Sequence, residues 1–241
     1  MFKLLFGFFL TIHLLGDFYF QSDKLSEKKR NGYCYVLLHG LIYFLISFAC
    51  AIPFWSIPVL LSASALAVLH FVVDSIKFLW ARGKAQNAAT YIADQIIHLG
   101  TMFTVASLFV YLGFDFNLLP SIGNYLAAIT ENPGAMLGWI GLILAVHKPA
   151  NITIKQLVAQ YKPAEEANHA NRTGAFIGTV ERFTIILLLS VAQYSAIGLV
   201  LTAKSVARYK KIAEEKQFAE YYLLGTLLST LLAIAAYLLF V

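Results

Sequence analysis

The stretch His70-Phe-Val-Val-Asp74-Ser-Ile-Lys77 places an imidazole, a carboxylate and an ammonium group inside a long apolar run. His70 and Asp74 are four residues apart, so on a helix they share one face. The pattern recurs as His13-Leu-Leu-Gly-Asp17 and, in mirror order, as Asp94-Gln95-Ile-Ile-His98. An Asp at membrane depth costs roughly 3 kcal/mol on insertion scales, and ionisable residues there mark functional positions by default. Imidazole and carboxylate together suit Zn, Fe or Mn, and two ions can share bridging carboxylates. With His39 added, the expected metal ligands are His13, Asp17, His39, His70, Asp74, Asp94 and His98. That set serves one or two divalent ions, zinc first among them. A bound ion lowers the pKa of its water to ~7, giving a nucleophile at neutral pH. A carboxylate not fully used as a ligand then acts as general base. Asp74, Asp94 and Lys77 are the candidate catalytic residues, with Lys77 neutralising a carboxylate or holding an anionic substrate group. Gln21 and Gln95 are candidates to hydrogen-bond the ligands, and Lys24 and Lys28 to meet substrate.

The bland alternative is that these residues only pack. A lone buried His is ordinarily a satisfied core residue, and interhelical hydrogen bonds glue membrane helices without any metal. One His/Asp pair would favour that alternative. Three pairs at one spacing, with His39 beside them, favour a metal or proton site.

The chain that must position these groups has 241 residues, 59% hydrophobic and 13% charged, with a mean hydropathy of +0.71. Soluble domains carry about 25% charged residues, so the composition reads as an integral membrane protein. The expected fold class is all-α, a polytopic membrane helix bundle of seven or eight spans. Apolar runs place them at 2–20, 34–52, 57–80, 88–112, 134–150, 174–192, 194–208 and 218–240. A span needs about 20 residues, so the fifth and seventh are short. Only Gln193 separates the sixth from the seventh, which reads as a tight hairpin or one broken segment. Residues 117–131 read as a short interfacial helix, and 151–171 as an amphipathic helix followed by an exposed loop. Residues 1–113 form the site-bearing half and 114–241 the second half of one membrane domain. Cys34 and Cys50 fall on one helix, about 24 Å apart, too far to pair.

Of the 18 Lys and Arg residues, all but Lys3 and Arg182 fall in or beside alternate connections: 1–2, 3–4, 5–6 and 7–8. Cytoplasmic loops carry such an excess, so both termini are expected outside. The net charge of +5 is then a matter of topology, and no nucleic-acid partner is expected. In this orientation each Asp of the three pairs lies nearer the cytoplasm, and each His about 6 Å deeper, one helical turn. Asp17, Asp74, Asp94 and His39 form a shallow layer. His13, His70 and His98 form a deeper one, with Tyr43 matching them in depth.

Glu181 and Arg182 fall near the middle of the sixth span. As neighbours they point about 100° apart, so each is expected to meet a partner elsewhere. One reading is a packing motif with a buried ion pair, Arg182 against Glu181 and a carboxylate of the first half. The other sends Arg182 to the metal site or a lipid phosphate. Lys204 and Arg208 belong to a basic cluster suited to anionic lipid headgroups, worth ~1 kcal/mol per charge. His147 reads as interfacial and His169 as solvated.

Taken together, His13-xxx-Asp17-Phe18-xx-Gln21, His39, His70-xxx-Asp74-xx-Lys77 and Asp94-Gln95-xx-His98 resemble the bacterial membrane family catalogued as domain of unknown function 3307. The second half, with Gly174-Ala-Phe-Ile-Gly178-Thr-Val-Glu181-Arg182, Gln193 and Ala203-Lys204-Ser205-xx-Arg208, is similar to its longer members. The resemblance implies a bacterial inner-membrane protein and supplies no activity. A weaker likeness to membrane-bound metal-dependent hydrolases favours hydrolysis by analogy. The chain departs from the expected pattern at Tyr43, where a second His would complete His-xxx-His.

The expected function is an intramembrane metal-dependent hydrolase acting on a lipid-linked or amphipathic substrate from the cytoplasmic side, with membrane lipids as its surroundings. The alternatives are a metal-ion or proton-coupled transporter and a scaffold or sensor with a structural metal. A transporter needs a polar path to the outer face, whereas the outer half of the first four spans is nearly all apolar. No Gly-x-Ser-x-Gly occurs, and neither Cys has a base beside it, so acyl transfer has no signature. Substrate, ion number and oligomeric state are not legible.

Overall fold

The computed structural model describes residues 1–81, 87–163 and 172–241. Arg82, Lys84 and His169, and the side chain of Arg172, lie outside what is described. Among the described residues every regular element is helical. Seven helices among the described residues are long and apolar enough to cross a membrane. The protein is an all-α polytopic membrane helix bundle. It is inside-out relative to a soluble fold. His39, His70, Asp74 and His98 are buried, while Leu61, Leu79, Trp80, Leu199 and Leu231 are exposed. Exposed apolar surface on that scale marks contact with lipid or protein rather than water.

The first compact unit is Met1–Gly141 with Phe240. Its helices are α1 (Phe2–Leu14), α2 (Asp23–Lys29), α3 (Tyr33–Ala51), α4 (Ile57–Ala81), α5 (Ala88–Tyr111) and α6 (Pro120–Ala127). Helix α1 packs on α3 and α5, and α4 packs on both of those. Burial runs round α1 on nearly all sides, from Leu5 to Leu10 and Ile12 to Leu14. A helix apolar all round is a core helix. The other three present one stripe. On α5 it is Tyr91, Asp94, His98, Met102, Ala106 and Phe109, every third or fourth residue. On α3 it is Val36, His39, Gly40, Tyr43, Ser47 and Ala51.

Local chemistry fixes where these helices begin. Ser22 caps α2 by accepting from the Leu25 amide at 3.2 Å. Asn87 and Thr90 close a reciprocal capping box at the start of α5, 2.8 and 3.2 Å. After Leu14 the first span does not stay α-helical. Leu15–Tyr19 is a π-helical turn, closed by the Phe20 amide on the Leu15 carbonyl at 2.8 Å. Gly16, within it, lies so close to the Tyr43 ring that a Cβ there would overlap it.

The division expected at residue 113 falls instead inside the fifth span. Phe116 stacks on Phe54, centroids 4.2 Å apart, and lies 5.2 Å from Phe8. The Leu119 amide donates to the Pro53 carbonyl at 2.8 Å. These contacts tie the segment after α5 to the first unit.

The fifth span is α7 (Pro133–Val146) followed by α8 (Lys148–Val158). It breaks at His147 (φ −87°, ψ −104°), with Pro149 in the first turn of α8. The second unit is Leu142–Leu239 with Val241. Beyond α8 it contains α9 (Arg172–Ser190), α10 (Tyr194–Ala207), α11 (Tyr209–Glu214) and α12 (Lys216–Phe240). Between α9 and α10 the chain turns at Val191–Gln193, with Ala192 in the left-handed region at φ 55°. Glu181 and Lys204, about equally far from that turn, form an ion pair. The two helices are therefore an antiparallel hairpin, not one broken segment. At 14 residues, α10 is about 21 Å long, short of a hydrocarbon core of about 30 Å.

Candidate metal centre

The inward stripes of α1, α3, α4 and α5 carry their polar residues to one place. Asp17 Oδ1, His39 Nε2 and His70 Nε2 form a triangle with all three edges at 3.1 Å. Asp74 Oδ2 lies 3.5 Å from the same atom of His39 and 3.4 Å from that of His70. Ligands bound at 2.0–2.1 Å around a tetrahedral zinc are about 3.3–3.4 Å apart. The triangle thus has about the spacing of three ligands on one ion, with Asp74 beside two of its corners. Two further groups also lie within ligand range, their donor atoms all within 4.8 Å of one another: His13, His70 and His98, and Asp74, Asp94 and His98. His70 Nε2 serves one ion only, so Asp17–His39–His70 and Asp74–Asp94–His98 are the disjoint pair of triads.

The site is held by charge and by stacking. Lys29 Nζ is 2.8 Å from Asp74 Oδ2, and Lys77 Nζ is 2.7 Å from Asp94 Oδ2. With neutral imidazoles, three carboxylates and two ammonium groups leave one negative charge, on Asp17, which has no lysine partner among the described residues. Gln95 bridges outward, its Oε1 3.5 Å from His13 Nε2 and its amide donating to Asp94 Oδ2 at 3.4 Å. The Nδ1 atoms of His13, His39 and His70 have no hydrogen-bond partner among the described residues. Ligand rings are ordinarily oriented through that nitrogen. Here the His70 ring is sandwiched instead. Tyr43 stacks on it at 3.8 Å and 9°, and His98 at 4.3 Å and 27°. The residue that departs from the His-xxx-His pattern thus stacks on the ring of a candidate ligand.

Residues 5–121 match the family described as "Protein of unknown function (DUF3307)". That segment is similar to the family. No curated protein and no solved structure matches the chain. The DUF3307 segment contains all seven candidate ligands together with Lys29, Lys77 and Gln95, whereas Glu181 and Arg182 lie beyond it.

The remaining expected residues sit elsewhere. Lys28 lies over the Tyr35 ring, 5.3 Å from its centroid, and its neighbour Lys29 takes the carboxylate. The α2 face that carries Leu25 and Lys29, four apart and both half-buried, is the signal that distinguishes them. Gln21 Oε1 is buried with no partner among the described residues. Among the described residues, the hydrogen bonds of Arg182 go to uncharged oxygens of its own unit. It donates from Nε to the Val146 carbonyl at 2.6 Å and from Nη1 to Ser229 Oγ at 3.2 Å. Its Nη2 donates to Asn151 Oδ1 at 2.7 Å and Thr179 Oγ1 at 3.2 Å. The expected Glu181–Arg182 pair gives way to Glu181–Lys204, because adjacent helix residues diverge. Lys204 therefore points at Glu181 rather than outward, while Arg208 is exposed, 5.9 Å from the Phe218 ring. His147 is exposed.

Proposed function

We propose that this protein is an intramembrane metal-dependent hydrolase of the bacterial inner membrane, taking a lipid-linked or amphipathic substrate from the cytoplasmic leaflet. The observation that carries the reading is the triangle of Asp17 Oδ1, His39 Nε2 and His70 Nε2 at 3.1 Å, with Asp74 beside it. Zinc fits this mix of imidazole and carboxylate best; iron and manganese fit it too. When bound, a divalent ion supplies a water of pKa ~7. Asp94 serves as the base. Its Oδ1 is buried without a hydrogen-bond partner among the described residues, 3.7 Å from His98 Nε2, while Lys77 holds Oδ2. The proton taken at Oδ1 is then available to the leaving group.

The cytoplasmic assignment rests on the Lys and Arg residues of alternate connections. The α9–α10 hairpin is consistent with it, because it returns the chain toward the side it came from. A second reading, transport of a metal ion or a proton-coupled solute, draws on the break at His147 in the fifth span. Interrupted spans at membrane depth occur where backbone lines a cavity or is buried in protein.

The test is metal content by elemental mass spectrometry for the wild type beside a His70→Ala, Asp74→Ala double variant, followed by ester and phosphoester hydrolysis assays. One or two equivalents lost in the variant together with turnover support the hydrolase. Metal uptake into proteoliposomes without turnover would favour transport. A wild type that holds no metal after chelator-free purification would sink both metal readings.

A further inference from the structure

We propose that Lys29 and Lys77 are the receptor for a phosphate monoester carried on an acyl chain, and that a lipid phosphate is the substrate class. The proposal rests on the hydrolase reading for the fate of that group, not for its binding.

The two lysines come from different elements, α2 and the end of α4, yet both end on the same triad of donor atoms. Lys29 meets Asp74 at 2.8 Å and Lys77 meets Asp94 at 2.7 Å. Neither is sealed in: their side chains are 14% and 32% exposed, against 3% and 8% for the carboxylates beneath them. The ammonium groups therefore form the rim and the carboxylates the floor. A cation bound at the floor competes with the lysines for the carboxylate charge and releases them for an incoming anion.

Counting charges and oxygens selects the anion. A phosphate monoester carries about −1.5 to −2 at neutral pH and presents three acceptor oxygens, one for each ammonium and one for an ion. A carboxylate has two oxygens and one charge. Lysine is a point-charge phosphate binder with freely rotating donors. The surroundings of the rim select the carrier. Ile76 and Trp80, on either side of Lys77 in sequence, are 60% and 73% exposed. A headgroup on this rim thus has apolar surface beside it, which accommodates an alkyl chain and gives free phosphate nothing.

The experiment is titration of dodecyl phosphate into the full-length, zinc-loaded protein in dodecyl maltoside. Inorganic phosphate is run alongside as a separate arm. The wild type is expected to bind dodecyl phosphate, and the Lys29→Gln, Lys77→Gln double variant roughly tenfold or more weakly, since each lysine contributes a charge-assisted hydrogen bond. The Arg30→Gln variant removes a neighbouring charge and is expected to bind like the wild type. Metal content is measured on every sample. Unchanged affinity in the lysine double variant overturns the proposal. So does loss of metal in that variant, which would make the lysines supports for Asp74 and Asp94. Equal affinity for inorganic and dodecyl phosphate overturns the lipid assignment. Lysine-dependent binding by a wild type that holds no metal would sink the hydrolase reading and leave the receptor standing.

Discussion

Two buried polar clusters, one in each unit, solve the problem of charge in a membrane in opposite ways. Around Arg182, donors meet acceptors: the guanidinium bonds Val146, Ser229, Asn151 and Thr179, all neutral oxygens. Asn151 in turn donates to Thr179 at 2.8 Å, and Thr179 to the Ala175 carbonyl at 2.9 Å. Around His70, by contrast, more acceptors crowd together than the imidazole protons can serve. Two imidazole nitrogens and a carboxylate oxygen stand 3.1 Å apart. An imidazole nitrogen carries at most one proton, so three mutual contacts cannot all be good hydrogen bonds. The first arrangement is complete as it stands and reads as a lock on a broken span. The second has coordination capacity left over. Burial is the same in both: Arg182 is 1% exposed and His39 0%. The direction of the donors is what differs.

The sharpest way to break this contrast is to remove one corner of each cluster. His39→Ala deletes a triangle vertex and is expected to abolish tight metal binding, with the helical far-UV signal retained. If the variant keeps a full metal equivalent, the triangle is not the centre. Arg182→Met is expected to do the reverse. Metal content stays at wild type, while stability falls by about 2 kcal/mol or more. That figure takes ~0.6 kcal/mol for each interhelical hydrogen bond and adds the cost of leaving a buried carbonyl without a donor. Unfolding in mixed micelles reads the loss. Wild-type stability in the Arg182 variant would mean the cluster locks nothing.

Gln95→Leu gives a smaller effect on the metal side alone. Gln95 contacts both His13 and Asp94 without being a ligand itself. Removing such an orienting partner typically costs 10–100-fold in metal affinity. A competing chelator measures it. Unchanged affinity would leave Gln95 as packing.

The contrast also explains what was legible. The convergence of the three His/Asp pairs could be anticipated because spacing and alternating charge fix face and depth without side-chain detail. The partners of the lysines could not. Lys77 shares a face with Asp74 by spacing, yet it bonds Asp94 on the next helix, since a long flexible side chain is not bound to its own helix's register. Lys29 hid in a short helix where three basic residues in succession look alike. The π-turn at Leu15–Tyr19 has no marker in composition apart from Gly16. Arg182 was legible as a buried charge, but its acceptors are a carbonyl, an amide and two hydroxyls, residues that carry no charge signal. The division within the fifth span was hidden because aromatic stacking around Phe54 and Phe116 follows no sequence period.

The finest test of the comparison concerns Tyr43, because it asks what orients the His70 ring, whose Nδ1 has no partner among the described residues. Tyr43 is wedged between Gly16 and His70, its ring parallel to the imidazole at 3.8 Å. If stacking sets the His70 plane, the ring matters and the hydroxyl does not. Tyr43→Phe should then keep wild-type metal affinity. Tyr43→Leu keeps apolar bulk but loses the π-face, and a stacked aromatic pair is worth about 0.5–1.5 kcal/mol beyond its area. That corresponds to a loss in metal affinity of roughly two- to tenfold, small beside His39→Ala but measurable with the same chelator. Equal losses in both variants would point to the hydroxyl, and no loss in either would return the orientation of His70 to its carboxylate contacts alone.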